Sequence, residues 1–261
     1  MPSRRLFRQL RILALLFILL VVAGDAWLST SRSTDWNDPL WVVLYPINAS
    51  DDIAVAEYLA QLQAASFAPI EDFITRQAGA YGLGNNKLVT VRLGPEVRSL
   101  PPDPPQNRNI PGVMWWSLKL RLWALRAGWG QDGPPADVRI YVIYYNDRYL
   151  PRLDHSLGLQ KGLLGLVHAY AGTSHAAGNN FIIAHELLHT LGASDKYDIA
   201  DNQPVYPAGY AEPDKLPLYP QEKAEIMGGR IPLGADRSDI PASLQRAMIG
   251  RETAREIKWA N

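Results

Sequence analysis

Three residues in the segment 181–198, FIIAHELLHTLGASDKYD, have the types and the spacing that metal-dependent hydrolysis requires. On an α-helix, His185 and His189 are four positions apart, so their imidazoles lie on one face. Two neutral imidazoles so placed can bind one zinc ion, and Glu186 beside them can take the proton of a water molecule that the ion activates. The alternative interpretation is an ordinary amphipathic helix with two histidines, because a bare HExxH also occurs by chance.

The residues around the motif predict a short helix followed by a sharp bend. Asn180 is a suitable N-cap, the body extends over 181–191, and Gly192 suits the left-handed residue that ends a helix. A catalytic zinc site needs a third protein ligand and one open position. Asp195 follows the bend by three residues and is the candidate ligand, while Asp198, one helical turn further on, competes with it.

The run from 185 to 195 is H-E-L-L-H-T-L-G-A-S-D, and it resembles the extended signature of the metzincin metallopeptidases, H-E-x-x-H-x-x-G-x-x-H. Aspartate replaces the last histidine, as in the small secreted bacterial enzymes of the snapalysin type, and the D-K-Y at 195–197 is similar to their continuation. A second resemblance lies in AEIMGGRIP, where Met227 stands as in the methionine turn that metzincins place beneath the metal.

The resemblance implies a zinc ion bound by His185, His189 and Asp195, with Glu186 as the general base and Met227 beneath the site. An aspartate oxygen is a sound zinc ligand, although an anionic ligand leaves the metal a weaker Lewis acid than a third imidazole would.

The chain departs from the family pattern in three ways. The third histidine is missing. Gly229 stands two positions after the methionine, where some metzincins place a tyrosine that steadies the transition state. The chain has no cysteine, which excludes latency through a cysteine-bearing propeptide.

Other polar residues are weaker candidates for a role at the site. A distant third ligand, as in the thermolysin-like enzymes, would come from one of three glutamates, Glu212, Glu222 or Glu225. The oxygen-rich segment 195–214 lacks EF-hand spacing, which favours a solvated acidic loop over a calcium site. His168 and His175 precede the helix and are candidates to touch substrate, and the strand near 168–171 is predicted to be an edge strand that pairs with an extended peptide.

The rest of the sequence predicts the elements that position this motif. Apolar, β-branched runs predict strands at 40–48, 87–94, 136–147 and 162–172. Helical spacing predicts helices at 50–67, 70–82, 113–130 and 238–259, with a proline-rich loop at 100–112. Alternating strands and helices indicate an α/β fold with a mostly parallel sheet. The resemblance narrows this to a metzincin-like domain with a twisted mixed sheet and an active-site helix that carries HExxH.

Composition limits the class of protein. Of 261 residues, 47% are hydrophobic, so one sizeable core is expected, and residues 40–261 are predicted to form a single domain. Lys plus Arg and Asp plus Glu are equal at 26 each, which makes nucleic acid an unsuitable partner. Without cysteine, only His, Asp and Glu remain as metal ligands.

The N-terminal segment predicts export. Four arginines precede 13 uninterrupted apolar residues, so 1–28 is interpreted as a signal peptide or an N-terminal signal-anchor, and the polar stretch 29–39 as a linker. The two interpretations predict either a membrane-anchored protein with its catalytic domain on the extracytoplasmic side or a secreted one. Under the anchor interpretation, the hydrophobic segment makes the membrane a partner.

Together these observations predict a zinc-dependent metallopeptidase that acts on peptide or protein substrates. Two alternatives stay open at this point. One is a zinc hydrolase of a non-protein amide or a cell-wall peptide, and the other is a catalytically inactive zincin-like binding module. The intact Glu186 argues against the second alternative, because a pure binding module has no chemical need for that carboxylate.

Overall fold

A computed structural model of the chain describes residues 11–13, 16, 34–84, 87–105, 109–128, 136–150, 153, 156–160 and 162–260. The main sheet contains five strands, β1 (Leu40–Asn48), β2 (Val89–Leu93), β3 (Val138–Tyr145), β4 (Leu157–Leu159) and β5 (Leu164–Tyr170). The helices are α1 (Ile53–Gln61), α2 (Ala68–Ala80), α3 (Ile110–Ala127), α4 (Ala176–Thr190) and α5 (Arg251–Glu256). Short strands follow helix α4, namely β6 (Ala224–Glu225), β7 (Ile231–Gly234), β8 (Arg237–Asp239) and β9 (Ala247–Met248).

The five strands of the main sheet lie in the order β2-β1-β3-β5-β4. The first four are parallel to one another, and β4 pairs antiparallel with β5 at the edge, with Leu157 opposite Leu166. Parallel neighbours require crossover connections; α1 and α2 lie between β1 and β2, and α3 lies between β2 and β3, whereas the described residues between β3 and β5 contain β4 and no helix. The predicted α/β class with a mostly parallel, mixed sheet is thus confirmed.

Buried side chains of the central strands alternate between two cores, one on each face of the sheet. On β3, Ile140 and Val142 belong to the larger core, and Tyr141 and Ile143 belong to the smaller one. Helices α1, α2 and α4 contribute to the larger core, and one face of α3 contributes to the smaller. Because both faces of the strand are covered, its sequence is a continuous apolar run. The motif helix α4 is therefore packed firmly against the sheet.

Helix α3 has two apolar faces. On one face, Trp116 and Leu120 are buried, and the ring of Trp123 lies 4.6 Å from that of Tyr141. The helix begins at Ile110, inside the predicted proline-rich loop, because Asn109 caps it and proline suits the first turn. The opposite face exposes large apolar side chains, Met114, Trp115, Leu118, Leu122 and Leu125.

The predicted C-terminal helix at 238–259 is wrong in extent. Only Arg251–Glu256 forms an α-helix, and the residues before it form β8, a 3₁₀ turn at Leu244–Arg246 and β9. Strand β9 pairs in parallel with β6. This pairing with a distant segment holds the residues in an extended conformation, although the spacing of their apolar side chains is typical of a helix. Helix α5 begins after Gly250, which is its N-cap residue.

The end of the predicted linker belongs to the domain. Trp36 is buried, its Nε1 atom donates a hydrogen bond to the Ile257 carbonyl at 2.8 Å, and its ring lies 5.5 Å from that of Trp259. Residues 29–33 lie outside the described part of the chain. The contact joins the segment before β1 to the residues that follow α5.

No helix among the described residues is long and apolar enough to cross a membrane. A span takes about 20 apolar residues, and the N-terminal run has 13. The predictions of a transmembrane helix and of a membrane-anchored location are wrong on this finding. The segment 1–28, on which both the anchor and the signal-peptide interpretations depend, lies outside the described residues except for 11–13 and 16.

Candidate metal centre

Helix α4 carries the motif and begins earlier than predicted. A 3₁₀ turn at Thr173–His175 leads directly into it, so His175 is the N-cap and Asn180 lies inside the helix. The Asn180 side chain instead donates to the Ser66 carbonyl at 2.9 Å. At the other end, Gly192 has φ of 107°, the left-handed conformation predicted for the residue that ends the helix.

The bend at Gly192 brings a carboxylate back to the two histidines. Asp195 Oδ1 lies 3.3 Å from His185 Nε2 and 3.1 Å from His189 Nε2. One ligand atom from each residue lies within 4.8 Å of the others, and within the described ranges this is the one group of three such residues that could hold a metal ion. Ligand atoms at zinc-bond lengths around a tetrahedral ion are about 3.3 Å apart. The cluster therefore fits a divalent ion.

Both imidazoles are oriented by backbone carbonyls. His185 Nδ1 lies 2.8 Å from the Ile226 carbonyl, and His189 Nδ1 lies 2.7 Å from the Ala193 carbonyl. A carbonyl only accepts, so Nδ1 carries a proton in each ring, and Nε2 is the nitrogen that can give up its proton and bind a metal ion. Hydrogen bonds of this kind fix the tautomer and the direction of metal-binding histidines.

Charges within the cluster favour a bound cation. Burial raises the pKa of Asp195, but hydrogen bonds from His185 and His189 outweigh it and hold that pKa well below its usual range. Burial lowers the pKa of His185, and the contact with Asp195 overcomes this and raises it. A proton is thus retained among these groups, and a metal ion would displace it.

Glu186 is a buried carboxylate whose bonding is incomplete. It is 5% exposed, and its Oε2 atom has no hydrogen-bond partner in the described structure. Burial raises its pKa. A buried carboxylate oxygen without a hydrogen-bond partner lowers the stability of the fold. Its presence beside two imidazoles therefore indicates a chemical role for Glu186 and not a packing role.

Edge strand β4 lies directly against this part of α4. A Cβ atom on Gly158 would be 2.5 Å from the Glu186 carbonyl oxygen and 2.5 Å from His189 Cβ. Only glycine permits this close approach. The prediction that the strand at 168–171 is the edge is therefore wrong, because β5 lies between β3 and β4.

A cavity of about 310 Å³ opens beside the cluster. Its polar lining includes His168, His185, Glu186, Tyr197, Asn202 and Arg230. Burial, together with the nearby Asp195 and Glu186 carboxylates, raises the pKa of Tyr197 to about 12. The Tyr197 phenol therefore keeps its proton at neutral pH. Asn202 and Arg230 were missed in the sequence, because no local pattern shows that loops distant in the chain converge on one cavity.

The turn that contains Met227 contacts both the histidine helix and the segment that carries Asp195. Met227 is fully buried, and its carbonyl accepts a hydrogen bond from Lys196 N at 2.9 Å. Glu225, also fully buried, accepts hydrogen bonds from Gly228 N at 2.9 Å and from Gly250 N at 3.0 Å. The turn is thereby joined both to the segment that carries Asp195 and to the start of α5.

The competing ligands lie outside the cluster. Asp198 is exposed and accepts a hydrogen bond from Ala200 N, while Glu225 is committed to the turn. Glu212 Oε2 accepts from Glu222 N at 3.2 Å, away from the histidines. No group of acidic residues in the described part of 195–214 reproduces a calcium cluster.

The two other histidines have different surroundings. His168 lines the cavity, and its Nδ1 lies 3.0 Å from the Tyr145 hydroxyl. His175 is at the N-cap position of α4, and its Nε2 atom lies 3.0 Å from Asp147 Oδ2. Of the two predicted candidates for substrate contact, only His168 is placed beside the cluster.

Comparison with known proteins finds no protein-family model that matches the chain, and no curated protein that matches it. Inferences about this centre therefore depend on its own geometry.

Proposed function

We propose that this protein is a zinc-dependent metallopeptidase of the metzincin type. The observation that carries the proposal is the unpartnered, buried Glu186 carboxylate next to a cluster of two imidazoles and one carboxylate. The order of the sheet, with α4 packed beneath it and a methionine turn below the histidines, is compatible with the metzincin resemblance.

Zinc is the ion that the donor set suits best. Imidazole and carboxylate ligands fit zinc, and a catalytic site uses three protein ligands with one position open. His185, His189 and Asp195 would hold the ion. When bound, zinc supplies a Lewis acid that polarises a scissile carbonyl and makes water more acidic.

Glu186 acts on protons in this mechanism. Its Oε2 is free to accept the proton of the attacking water, and its raised pKa lets it keep that proton until it is returned to the leaving amine. The Ile226 and Ala193 carbonyls hold the proton on Nδ1 of both ligand histidines, so Nε2 is the atom of each ring from which a metal ion would displace a proton. The chain thus separates the metal-binding groups from the proton-transfer group.

Edge strand β4 is the element best placed to bind a peptide backbone. It lies at the end of the sheet and contacts Glu186 and His189 through Gly158. A strand at a sheet edge offers backbone groups to an extended segment, which is β-augmentation. This role replaces the one predicted for residues 168–171.

The purified full-length chain tests the proposal. Elemental analysis should find zinc, and mass spectrometry should find products after incubation with a peptide library. Glu186→Gln should keep zinc and lose about 10²–10⁴-fold in turnover. The control is Glu57→Gln, an exposed glutamate of α1, which should behave as wild type. A chain that cannot be loaded with zinc, or a Glu186→Gln variant that cleaves like wild type, would refute the mechanism.

A further inference from the structure

We infer that the cavity beside the metal centre selects peptides that carry a carboxylate, and that Arg230 binds this group. The inference rests on the proposed function, since it names the substrate class of the same site. Arg230 is the one cavity-lining residue, within the described structure, whose side chain is a permanent cation.

The positive charge of Arg230 is not neutralised by an acidic side chain. Arg230 is partly buried and forms no ion pair with any described residue. Asp239 is the nearest acidic residue in the β7–β8 pairing, where it stands opposite Ile231, but it is exposed and does not pair with Arg230. By contrast, the buried Lys196 is matched by Glu256 at 2.7 Å.

The cavity around Arg230 strengthens its interaction with an anion. Leu153, Ile182 and Ile240 also line the cavity, so Arg230 shares it with apolar residues. A charge pair is stronger where apolar groups displace water. Guanidinium also offers a planar fork that matches a carboxylate with two parallel hydrogen bonds.

The charge balance of the site leads to the same conclusion. A divalent ion on the cluster would be balanced by the carboxylates of Asp195 and Glu186. Arg230 would then leave the cavity with one unbalanced positive charge, which an anionic substrate group neutralises.

The backbone holds Arg230 at a fixed place in the site. Gly229, just before it, has φ of 72° and its N–H donates to the Glu225 carbonyl at 3.1 Å. Ile231, just after it, is buried and begins β7. Arg230 is therefore fixed between the turn below the histidines and a strand, as a residue that determines specificity must be.

The carboxylate has two possible sources, an acidic side chain near the scissile bond and the free C-terminus of a short peptide. Matched fluorescent peptides separate them, with Glu or Gln next to the cleavage site and either a free or an amidated C-terminus. Their binding is measured by anisotropy on the zinc-loaded Glu186→Gln protein, and their hydrolysis is measured with the wild-type protein.

We expect peptides with the correctly placed carboxylate to bind and react at least about 10-fold better than their neutral partners. Arg230→Gln should remove this preference, and Arg230→Glu should reverse it in favour of a lysine-containing peptide. Arg237→Gln, an exposed arginine of β8 outside the cavity lining, is the matched control and should keep the preference. Thermal unfolding should show that Arg230→Gln folds like wild type.

Failure of this inference differs from failure of the proposed function. If peptides are cleaved but the acidic preference is absent or survives Arg230→Gln, the inference is wrong and the peptidase activity stands. If no peptide is cleaved but carboxylate binding still depends on Arg230, the activity is wrong and the inference stands. Binding that ignores both the carboxylate and Arg230 overturns the inference directly.

Discussion

His185 Nδ1 donates a hydrogen bond to the Ile226 carbonyl at 2.8 Å, which joins a metal-binding side chain to the turn that contains Met227. The same turn accepts a hydrogen bond from Lys196 N, the residue after Asp195. Two of the three candidate ligands are therefore positioned by one turn. Changes in that turn should alter metal binding even though none of its side chains is a ligand.

Asp195→Asn should weaken zinc binding by more than 10-fold. The amide keeps the shape of the side chain but loses the negative charge that faces His185 and His189. Competition with a chromophoric chelator measures the affinity. Asp198→Asn, which changes an exposed residue outside the cluster, should bind zinc like wild type. The reverse result would make Asp198 the ligand.

Gly158→Ala should disturb the site through the edge strand. The new Cβ would lie 2.5 Å from both the Glu186 carbonyl oxygen and His189 Cβ, so β4 or α4 has to move. We expect a lower melting temperature and a large loss of turnover. The matched control is Gly178→Ala, in α4, where a Cβ meets nothing within 4 Å. That variant should gain up to about 1 kcal/mol from helix propensity.

Glu225→Ala should destabilise the protein by about 2–4 kcal/mol, because donors that now bond the buried carboxylate would lose their acceptor. These donors are Gly228 N, Gly250 N and the Thr253 hydroxyl. Urea unfolding measures the loss. Zinc affinity should fall as well, since the turn orients His185. Unchanged stability and affinity would mean that the turn is held by packing alone.

Much of the fold is predictable from local sequence. The continuous apolar run of β3 predicts a strand buried on both faces, and Gly192 predicts the end of α4, because each signal depends on neighbouring residues only. Strand β4 is three residues long and pairs through tertiary contacts, so nothing local identifies it. The short β9 likewise replaces predicted helix because it pairs with β6.

The residues of the candidate site also divide into those that a local sequence pattern predicts and those that only the folded chain brings together. His185, Glu186, His189 and Asp195 lie within 11 consecutive residues, so their spacing carries the prediction. Arg230 reaches the cavity from a distant segment, through a turn that Glu225 fixes to the start of α5. A sequence pattern contains spacing along the chain but not this convergence of loops.

The ion pair of Lys196 and Glu256 should make stability depend on pH. Burial raises the pKa of Glu256, but hydrogen bonds from Lys196 and Ser194 outweigh it, so the pKa in the folded state is below the ordinary 4.5. The folded protein thus binds this proton more weakly than the unfolded chain does. The stabilisation is present in full above the unfolded pKa and is lost as the pH falls through the folded pKa.

Glu256→Gln should therefore lower the free energy of unfolding at pH 7, and its difference from wild type should shrink as the medium is acidified below pH 4.5. Urea unfolding at several pH values, with chelator present because metal binding also depends on pH, measures this difference. Glu252→Gln is the control, since Glu252 is exposed on the same helix and has no ion pair with a described residue. A difference that stays constant with pH would show that the carboxylate of Glu256 stabilises the loop by packing and not by charge.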